Sequence, residues 1–310
     1  MQNTENQSSE DSLVKLSLSD KGVKRALAKK IKEDVDAFCA DYYDDGFRTH
    51  LGCSSIGKEC SRDLWYSFRW IAREKFDGRR LRLFQRGHRE EEHVIKYLEG
   101  IGCTVWAFDP NTDAELPKEK RQIKVSAHYG HFGGSVDAVV KLPERYGIDE
   151  PVLCSIKTSG TGALFTGYTT KGLQQHKPVY MAQESAYGAL MDIRFALFFV
   201  ANKNDDDIYI EIVELSKDIG TAMLGKAEQV IFSDKAPPRI SENPTFLACT
   251  YCDKKGVCHM GEKAEMNCRS CKHSKPVENK EWYCAKHNGN IPKEFIAKGC
   301  DHWISIIVED

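Results

Sequence analysis

An aspartate and a lysine are the first residues whose types and spacing could do chemistry. Asp137 lies in the segment GGSVDAVV, and Lys157 lies in VLCSIKTSG. Alternate side chains of a strand share a face, so Ser155 and Lys157 are expected to point the same way and Cys154 into the core. The turn-rich link between the two segments predicts a hairpin. Asp137 and Lys157 are therefore expected to converge on one face of a sheet.

This combination suits the hydrolysis of a phosphodiester. An aspartate carboxylate binds a hard divalent cation such as Mg²⁺ or Mn²⁺. The bound metal polarises the phosphate and lowers the pKa of a water molecule, and a lysine orients that water or stabilises the developing charge. The residues predict a phosphodiesterase in which Asp137 binds the metal and Lys157 acts on the water and the scissile phosphate.

Cysteines are the second feature with chemical meaning. The chain has twelve, and seven of them lie between Cys249 and Cys300. Disulfides are rare in a reducing compartment, so clustered cysteines indicate a metal. The first cluster, Cys249-x₂-Cys252-x₅-Cys258, supplies three thiolates and leaves a four-ligand site one short. Spacing alone fits zinc as well as an iron–sulfur cluster.

A second cluster follows in a segment that is too poor in periodic structure to pack a core alone. Its cysteines are Cys268, Cys271, Cys284 and Cys300. A Cys-x₂-Cys pair followed by two later thiolates predicts a structural zinc ribbon. His287 is the alternate fourth ligand if Cys300 stays free.

Four short motifs, in order, resemble those of the PD-(D/E)XK nuclease superfamily in its RecB-like branch. Asp137 and Lys157 resemble the second and third motifs, and RGHREEE resembles the first. Gln183 and Tyr187 match Q-x-x-x-Y, and their spacing of four places them on one helix face. The resemblance covers about residues 51–260. It implies that Glu91 assists Asp137 at the metal and that the Gln183–Tyr187 face lines a DNA cleft and positions the strand.

The resemblance extends to the first cysteine cluster. AddB-type helicase–nucleases and CRISPR-associated RecB-like exonucleases bind a 4Fe-4S cluster with one N-terminal and three C-terminal cysteines, which ties the chain ends across the core. It implies that Cys60, at the start of an aromatic helix, completes the triad, with Cys53 as the rival ligand. The segment LGCSSIGKECSRDLWYSFRW is similar to the opening of phage-encoded RecB-like proteins used in recombination. This implies a phage or prophage origin and a partner that coats or anneals single-stranded DNA.

Ser155 departs from the family pattern, which has Glu or Asp two residues before the lysine. A serine hydroxyl is a poor Mg²⁺ ligand beside a carboxylate. Three explanations stay open at this point. Another acid such as Glu91 carries the metal, the protein has lost cleavage and kept DNA binding, or the residue was replaced to make an inactive variant.

The elements that must position these residues alternate between helices and strands. Periodicity and turn signals predict helices over 20–40, 57–73, 87–99, 179–191 and 216–232, and strands over 104–108, 122–128, 135–142, 152–158, 194–201 and 207–213. This order predicts an α/β restriction-endonuclease-like core with a mixed central sheet flanked by helices. The expected domains are a disordered segment 1–18, a cluster-laced core 19–260 and a zinc-ribbon-like module 261–310. His128 and His131, just before the Asp137 turn, are candidates to line the cleft.

Length, composition and charge limit the classes of protein to which the chain can belong. The chain has 310 residues, is 41% hydrophobic and 29% charged, and has a formal net charge of −2. A near-neutral charge does not favour nucleic-acid binding by itself, yet it fits an enzyme whose acidic metal ligands are surrounded by basic rims. No apolar run reaches the length of a membrane span, and the polar start MQNTENQSSEDS has no secretory h-region. The expected location is the cytoplasm, or the host cytoplasm for a phage protein.

Three functions follow from these patterns. The first is a metal-dependent DNA exonuclease that acts on DNA ends in recombination, replication or repair. The second is a catalytically degenerate DNA-binding protein of the same fold, which Ser155 supports. The third is a metal-stapled interaction protein whose zinc ribbon is the working surface.

Overall fold

The computed structural model describes residues 21–160 and 162–307, so the segment predicted to be disordered, 1–18, lies outside them. The α-helices are α1 (Lys21–Tyr42), α2 (Cys53–Ile56), α3 (Ser61–Phe68), α4 (Gly78–Gly100), α5 (Lys118–Arg121), α6 (Ala163–His176), α7 (Pro178–Met191), α8 (Lys217–Phe232), α9 (Leu247–Thr250), α10 (Lys255–His259) and α11 (Lys293–Ile296). The strands are β1 (Leu51–Gly52), β2 (Thr104–Trp106), β3 (Lys124–Ala127), β4 (Phe132–Ser135), β5 (Ala138–Lys141), β6 (Val152–Ser159), β7 (Phe195–Asn202), β8 (Ile208–Glu214), β9 (Ser274–Pro276), β10 (Trp282–Cys284) and β11 (Gly289–Asn290).

The chain divides into two compact units. Among the described residues, the smaller unit consists of 21–44 together with 76–83, and the larger of 45–75, 84–160 and 162–307. Within the smaller unit, Arg82 Nη2 donates to Asp36 Oδ1 at 2.6 Å, and Cys39 is buried. The larger unit contains the sheets and both cysteine clusters. The boundary expected between residues 260 and 261 stays a prediction.

A five-stranded sheet forms the centre of the larger unit, in the order β2-β5-β6-β7-β8. Strands β6 and β7 are parallel, and the other neighbouring pairs are antiparallel. Strand β7 is buried on both faces, which explains its continuous apolar sequence FALFFVA. The mixed α/β architecture and the β5–β6 hairpin predicted from the sequence are confirmed.

Helices cover both faces of this sheet. On one face, Val94 of α4 packs in a cluster with Cys154 and Ile156 of β6, as the alternation in β6 predicts. On the other face, Met181 of α7 packs with Phe198 of β7, and α8 lies against α7. None of the helices in the described ranges combines the length and the apolar character needed to cross a bilayer.

The strand predicted over 135–142 is wrong as a single element. Residues up to Ser135 belong to β4, which pairs with β3 and β1 in a separate three-stranded sheet, and Ala138 opens β5 of the central sheet. The chain changes sheets at Val136 and Asp137. At Gly134 an added Cβ would lie 2.5 Å from the Tyr187 hydroxyl oxygen, so the close approach of α7 requires glycine there. Asp137 therefore lies at the break between two sheets.

The helix predicted over 57–73 is present but shorter, since α3 covers only Ser61–Phe68 of that range. Gly57 lies against α7, where an added Cβ would be 2.8 Å from the Val179 backbone. Cys60 is the N-cap of α3, and its Sγ accepts a hydrogen bond from Asp63 N at 3.4 Å. Trp70 has a positive φ of 53°, which prevents the helix from continuing. Helix α6 was not predicted.

The C-terminal segment packs into the core around α3. The Arg269 guanidinium lies 4.5 Å from the ring centroids of Phe68, Trp70 and Trp282. Arg69 Nη1 donates to Ser274 O at 2.9 Å. Both guanidiniums are buried and are stabilised by aromatic faces and backbone carbonyls. The segment that holds the second cysteine cluster is therefore part of the main hydrophobic core.

His131 lies in the contact between α3 and the C-terminal segment. It is fully buried, its Nε2 donates to Val277 O at 2.8 Å, and its ring stands edge-on to Phe68 and Trp282. The expectation that His131 lines the cleft is wrong because the C-terminal segment covers it. Burial lowers the pKa of His131 to about 4.

This buried histidine predicts a pH dependence of stability. A histidine with a folded-state pKa below its unfolded value is neutral in the native protein, so stability falls as the pH drops from about 6.5 toward 4. Between pH 7 and pH 5 the His131 contribution to the free energy of unfolding is expected to fall by about 2 kcal/mol. Urea unfolding of the wild type and of His131→Phe at both pH values measures it. The same loss in both proteins would exclude His131 as the source.

Candidate active site

Asp137 and Lys157 lie together at one end of the hairpin formed by β5 and β6. Asp137 Oδ2 accepts a hydrogen bond from Ile156 N at 2.7 Å and lies 3.5 Å from Lys157 Nζ. About a fifth of each side chain is exposed, so a substrate atom can reach the pair. The backbone bond holds the carboxylate in place and leaves Asp137 Oδ1 as a further acceptor.

Glu184 supplies a second acid beside Ser155. It lies on α7 and is 1% exposed, and its Oε1 accepts a hydrogen bond from Ser155 Oγ at 2.8 Å. Ser155 and Lys157 share the face of β6 that packs against α7, so the serine points at a carboxylate. Burial raises the pKa of Glu184 to about 7, and the Asp137 carboxylate adds to this effect.

Lys157 is the cation of this group. Burial opposes its charge, but the carboxylates of Asp137 and Glu184 outweigh that cost and raise its pKa. Its ammonium also lies 5.9 Å from the ring centroid of Tyr180 on α7. Lys157 therefore stays protonated at neutral pH, as a charge-stabilising group requires.

Helix α4 brings Glu91 to the same region. The Glu91 carboxylate contributes to the raised pKa of Lys157, and the Asp137 carboxylate contributes to the raised pKa of His88. These two residues of α4 are therefore near Asp137 and Lys157. His88 Nδ1 lies 3.3 Å from Glu91 Oε1, and this hydrogen bond is the main reason that the pKa of His88 is raised. The part of α4 that holds His88 and Glu91 therefore lies near the Asp137–Lys157 pair.

The Q-x-x-x-Y residues lie on α7 beside Glu184. Gln183 is 7% exposed and Tyr187 is 5% exposed. The Tyr187 hydroxyl donates to Ser135 O at 2.9 Å, which fixes the end of β4 two residues before Asp137. In this geometry Tyr187 positions the chain that carries Asp137. The role of Gln183 and Tyr187 in positioning a DNA strand stays a prediction.

The acidic residues suit a hard divalent cation by their chemistry. Asp137 and Glu184 offer carboxylate oxygens, which Mg²⁺ and Mn²⁺ prefer. In the described ranges, no three His, Cys, Asp or Glu side chains are already arranged to hold a metal ion. Binding would therefore need small movements of these side chains.

The first cysteine cluster faces a cavity of about 350 Å³, and Cys60, Cys249, Cys252 and Cys258 all line it. The charged residues of the lining include both cations and acids, namely Lys58, Lys254, Arg239, Glu59, Asp63 and Asp253. By number and type the four thiols suit either Zn²⁺ or a 4Fe-4S cluster. Cys53 is fully buried in α2 and does not line this cavity.

The second cysteine cluster faces another cavity, of about 250 Å³, lined by Cys268, Cys271, Cys284, Cys300 and His287. Burial raises the pKa of Cys268 to about 11, and the thiols of the other three cysteines add to this effect. Cys300 Sγ lies 3.7 Å from His287 Nε2. By number and type these residues suit a zinc ion, and both alternatives for the fourth ligand lie at the cavity.

Glu184 was missed by the sequence interpretation, although it lies inside the quoted motif. The motif directs attention to Gln183 and Tyr187, whereas Glu184 is the next residue and points to the sheet. A single charged residue in a largely apolar helix was the available signal, because a buried carboxylate needs a partner.

No family model and no curated protein matches the chain. Among solved structures, it is similar to SSO0001 with a TM-score of 0.43 and 15% identity, over 75% of this chain and 97% of the other. It is similar to LHK-Exo, an alkaline exonuclease from Laribacter hongkongensis, with a TM-score of 0.38 and 17% identity, over 64% of this chain and 90% of the other. The same exonuclease in complex with dAMP gives 0.38 and 15%, over the same shares. All three TM-scores are below 0.5, so the function has to be inferred from the site itself.

Proposed function

We propose that the chain is a metal-dependent DNA exonuclease whose acidic residues are Asp137 and Glu184, with Glu91 assisting. The observation that supports this most is the hydrogen bond from Ser155 to Glu184. The carboxylate that the strand lacks at residue 155 is supplied by α7, at 2.8 Å from the serine hydroxyl. The site then has two buried or half-buried acids and one lysine, which is the set that phosphodiester hydrolysis needs.

Each residue has a role that its position allows. Asp137 is fixed by the Ile156 amide and presents its second oxygen to the cleft. Lys157, kept protonated by its acidic neighbours, stabilises the charge that develops on the scissile phosphate or holds the attacking water. Ser155 orients the Glu184 carboxylate. Tyr187 fixes the chain before Asp137.

Asp137 and Glu184 would hold the Mg²⁺ or Mn²⁺ ion, with Glu91 next to them. The ion supplies polarisation of the phosphate and a lower pKa for a bound water. At neutral pH a raised pKa leaves part of the Glu184 population protonated, so ionised Glu184 is the state competent to bind a cation.

The hypothesis of DNA binding without cleavage depended on Ser155 as the missing ligand. The Glu184 carboxylate beside the serine weakens that argument. It also makes an inactivating replacement unnecessary as an explanation, because Ser155 has a hydrogen-bonding partner suited to it.

For the cysteines we propose a 4Fe-4S cluster at Cys60, Cys249, Cys252 and Cys258, and a structural zinc ion at Cys268, Cys271 and Cys284 with Cys300 or His287. Both groups would be structural. Support comes from the two thiol-lined cavities and from the packing of the C-terminal segment into the core. A role of the zinc segment as a partner-binding surface, for a DNA-coating or annealing protein, stays a prediction.

Cleavage of DNA ends tests the proposal directly. The anaerobically purified protein is incubated with linear DNA and with the same DNA as a covalently closed circle. Digestion of the linear form that needs added Mg²⁺ or Mn²⁺, and that is lost in Asp137→Asn, is the expected result. Equal cleavage of both forms would make it an endonuclease. Tight DNA binding without cleavage under any divalent metal would favour the degenerate protein instead.

A further inference from the structure

An exposed aromatic pair lies at the tip of the β3–β4 hairpin. Tyr129 is 56% exposed and Phe232, at the end of α8, is 40% exposed. Their ring centroids are 5.9 Å apart in an edge-on arrangement. His128 stands edge-on to Phe232, with ring centroids 6.4 Å apart, and its Nε2 donates to Leu224 O at 3.0 Å. The two rings thus have a rigid support and a free surface.

The backbone at this tip is strained. His128, Tyr129 and Gly130 all have positive φ, at 51°, 59° and 83°. Asn279 and Lys280, in the turn that packs against this tip, also have positive φ, at 58° and 59°. Such conformations cost free energy in residues other than glycine, and they persist where the surrounding structure enforces them. Here the turn with positive φ carries the exposed Tyr129 side chain.

The surroundings of the aromatic pair are basic. An added Cβ at Gly130 would lie 3.3 Å from Lys280 Cβ, so Lys280 lies directly against the tip. Burial lowers the pKa of Lys280, and the nearby charges of Arg269, Lys293 and Lys124 lower it further. Glu281, the acid next in sequence, accepts a hydrogen bond from Asn290 Nδ2 at 2.6 Å. Lys280 and Lys124 thus place positive charge near the rings, and Glu278 and Glu281 are the acids beside Lys280 in sequence.

The hairpin connects this surface to the candidate active site. Lys124 is exposed and pairs with Ser135, two residues before Asp137. From Phe132, next to the tip, to Asp137 the chain covers at most about 17 Å at the rise of a strand. A ligand of a few nucleotides could therefore contact Tyr129, Lys124 and the Asp137–Lys157 pair together.

We propose that Tyr129, Phe232, Lys280 and Lys124 form a binding surface for single-stranded DNA, in which bases stack on the two rings and phosphates contact the two lysines. Exposed aromatics beside basic side chains are the combination by which proteins bind single strands without sequence preference. The inference rests on the proposed nuclease function, because it names the strand form that leads into the same site.

The test measures binding separately from cleavage. Fluorescence anisotropy is recorded with a labelled oligothymidylate of about 20 nucleotides, in an Asp137→Asn background so that the oligonucleotide stays intact. Tyr129→Asn removes the ring and suits the positive φ, since asparagine is among the residues that tolerate it best. Binding is expected to weaken about 5- to 150-fold, while Tyr129→Phe keeps it. The matched control is Tyr146→Asn, another exposed tyrosine, which should stay within about twofold.

Two further measurements distinguish contacts with the bases from contacts with the phosphates. An abasic oligomer of the same length should bind the Tyr129→Asn protein and its parent equally, because it has no bases to stack. Lys280→Gln and Lys124→Gln should each reduce the slope of log affinity against log salt by about 0.7. Unchanged oligothymidylate binding in Tyr129→Asn, or an equal loss with the abasic oligomer, would overturn the proposal. Neither result depends on whether the wild type hydrolyses DNA.

Discussion

Replacing Glu184 with glutamine is expected to lower the rate of DNA hydrolysis by roughly a thousandfold, equivalent to about 4 kcal/mol of transition-state stabilisation. Glutamine keeps the shape of the side chain and an oxygen that accepts the Ser155 hydrogen bond. It removes the charge and replaces the second carboxylate oxygen with an NH₂ donor. Since burial raises the pKa of Glu184 to about 7, the buried charge is a cost to the fold, and stability measured without added Mg²⁺ should not fall. Initial rates on linear DNA and urea unfolding measure the two effects.

Variants that place an acid at residue 155 of β6 provide the control. Ser155→Glu alone would place two carboxylates where Ser155 and Glu184 now share a hydrogen bond, so it should destabilise the protein and not raise activity. The double variant Ser155→Glu with Glu184→Ser exchanges the two side chains and is expected to recover part of the lost rate. Wild-type rates in Glu184→Gln would refute the role of Glu184. A double variant as inactive as Glu184→Gln would show that the position on α7 itself matters.

Cys60→Ser is expected to remove the metal from the first cysteine cavity and to destabilise the fold by several kcal/mol, because metal binding in such sites contributes directly to folding. The cavity joins the start of α3 to the segment 249–258, so the loss separates distant parts of the chain. The measurements are iron, sulfide and zinc content, the broad absorbance near 400 nm of iron–sulfur proteins, and thermal unfolding of anaerobically purified protein.

Cys53→Ser is the matched control for Cys60→Ser. Cys53 lies seven positions earlier and is fully buried, but it does not line the cavity. Its replacement costs packing and should leave the metal content unchanged. Loss of metal in Cys53→Ser with full retention in Cys60→Ser would reverse the assignment. Zinc in place of iron in the wild type would keep the four ligands and exclude the 4Fe-4S cluster.

The sequence predicts the parts of the site that depend on local pattern. Alternation along β6 places Ser155 and Lys157 on one face and Cys154 on the other, and the turn-rich link predicts the hairpin with β5. The structure agrees on each point. These predictions succeed because a strand has a fixed period and a hairpin joins neighbours in sequence.

The features of the site that could not be predicted from the sequence depend on contacts between distant segments. Glu184 lies on α7, which is buried over Met181–Gly188, so the helix has no polar stripe to show which side faces the sheet. The break at Asp137 arises because β4 and β5 pair with different partners, which no local pattern records. His131 looks like a cleft residue until the C-terminal segment is placed over it.

The insertion of Arg269 and Trp282 beside α3 has a consequence for how the protein is made. Arg69 and Arg269 touch although 200 positions separate them. At ribosomal speeds of about 5–20 residues per second, these partners are synthesised roughly 10–40 s after α3. During that interval Trp65, Phe68 and Trp70 have no C-terminal cover, and apolar surface of this kind attracts chaperones and other nascent chains. The yield of native protein should therefore depend more on events during translation than on the final stability of the fold.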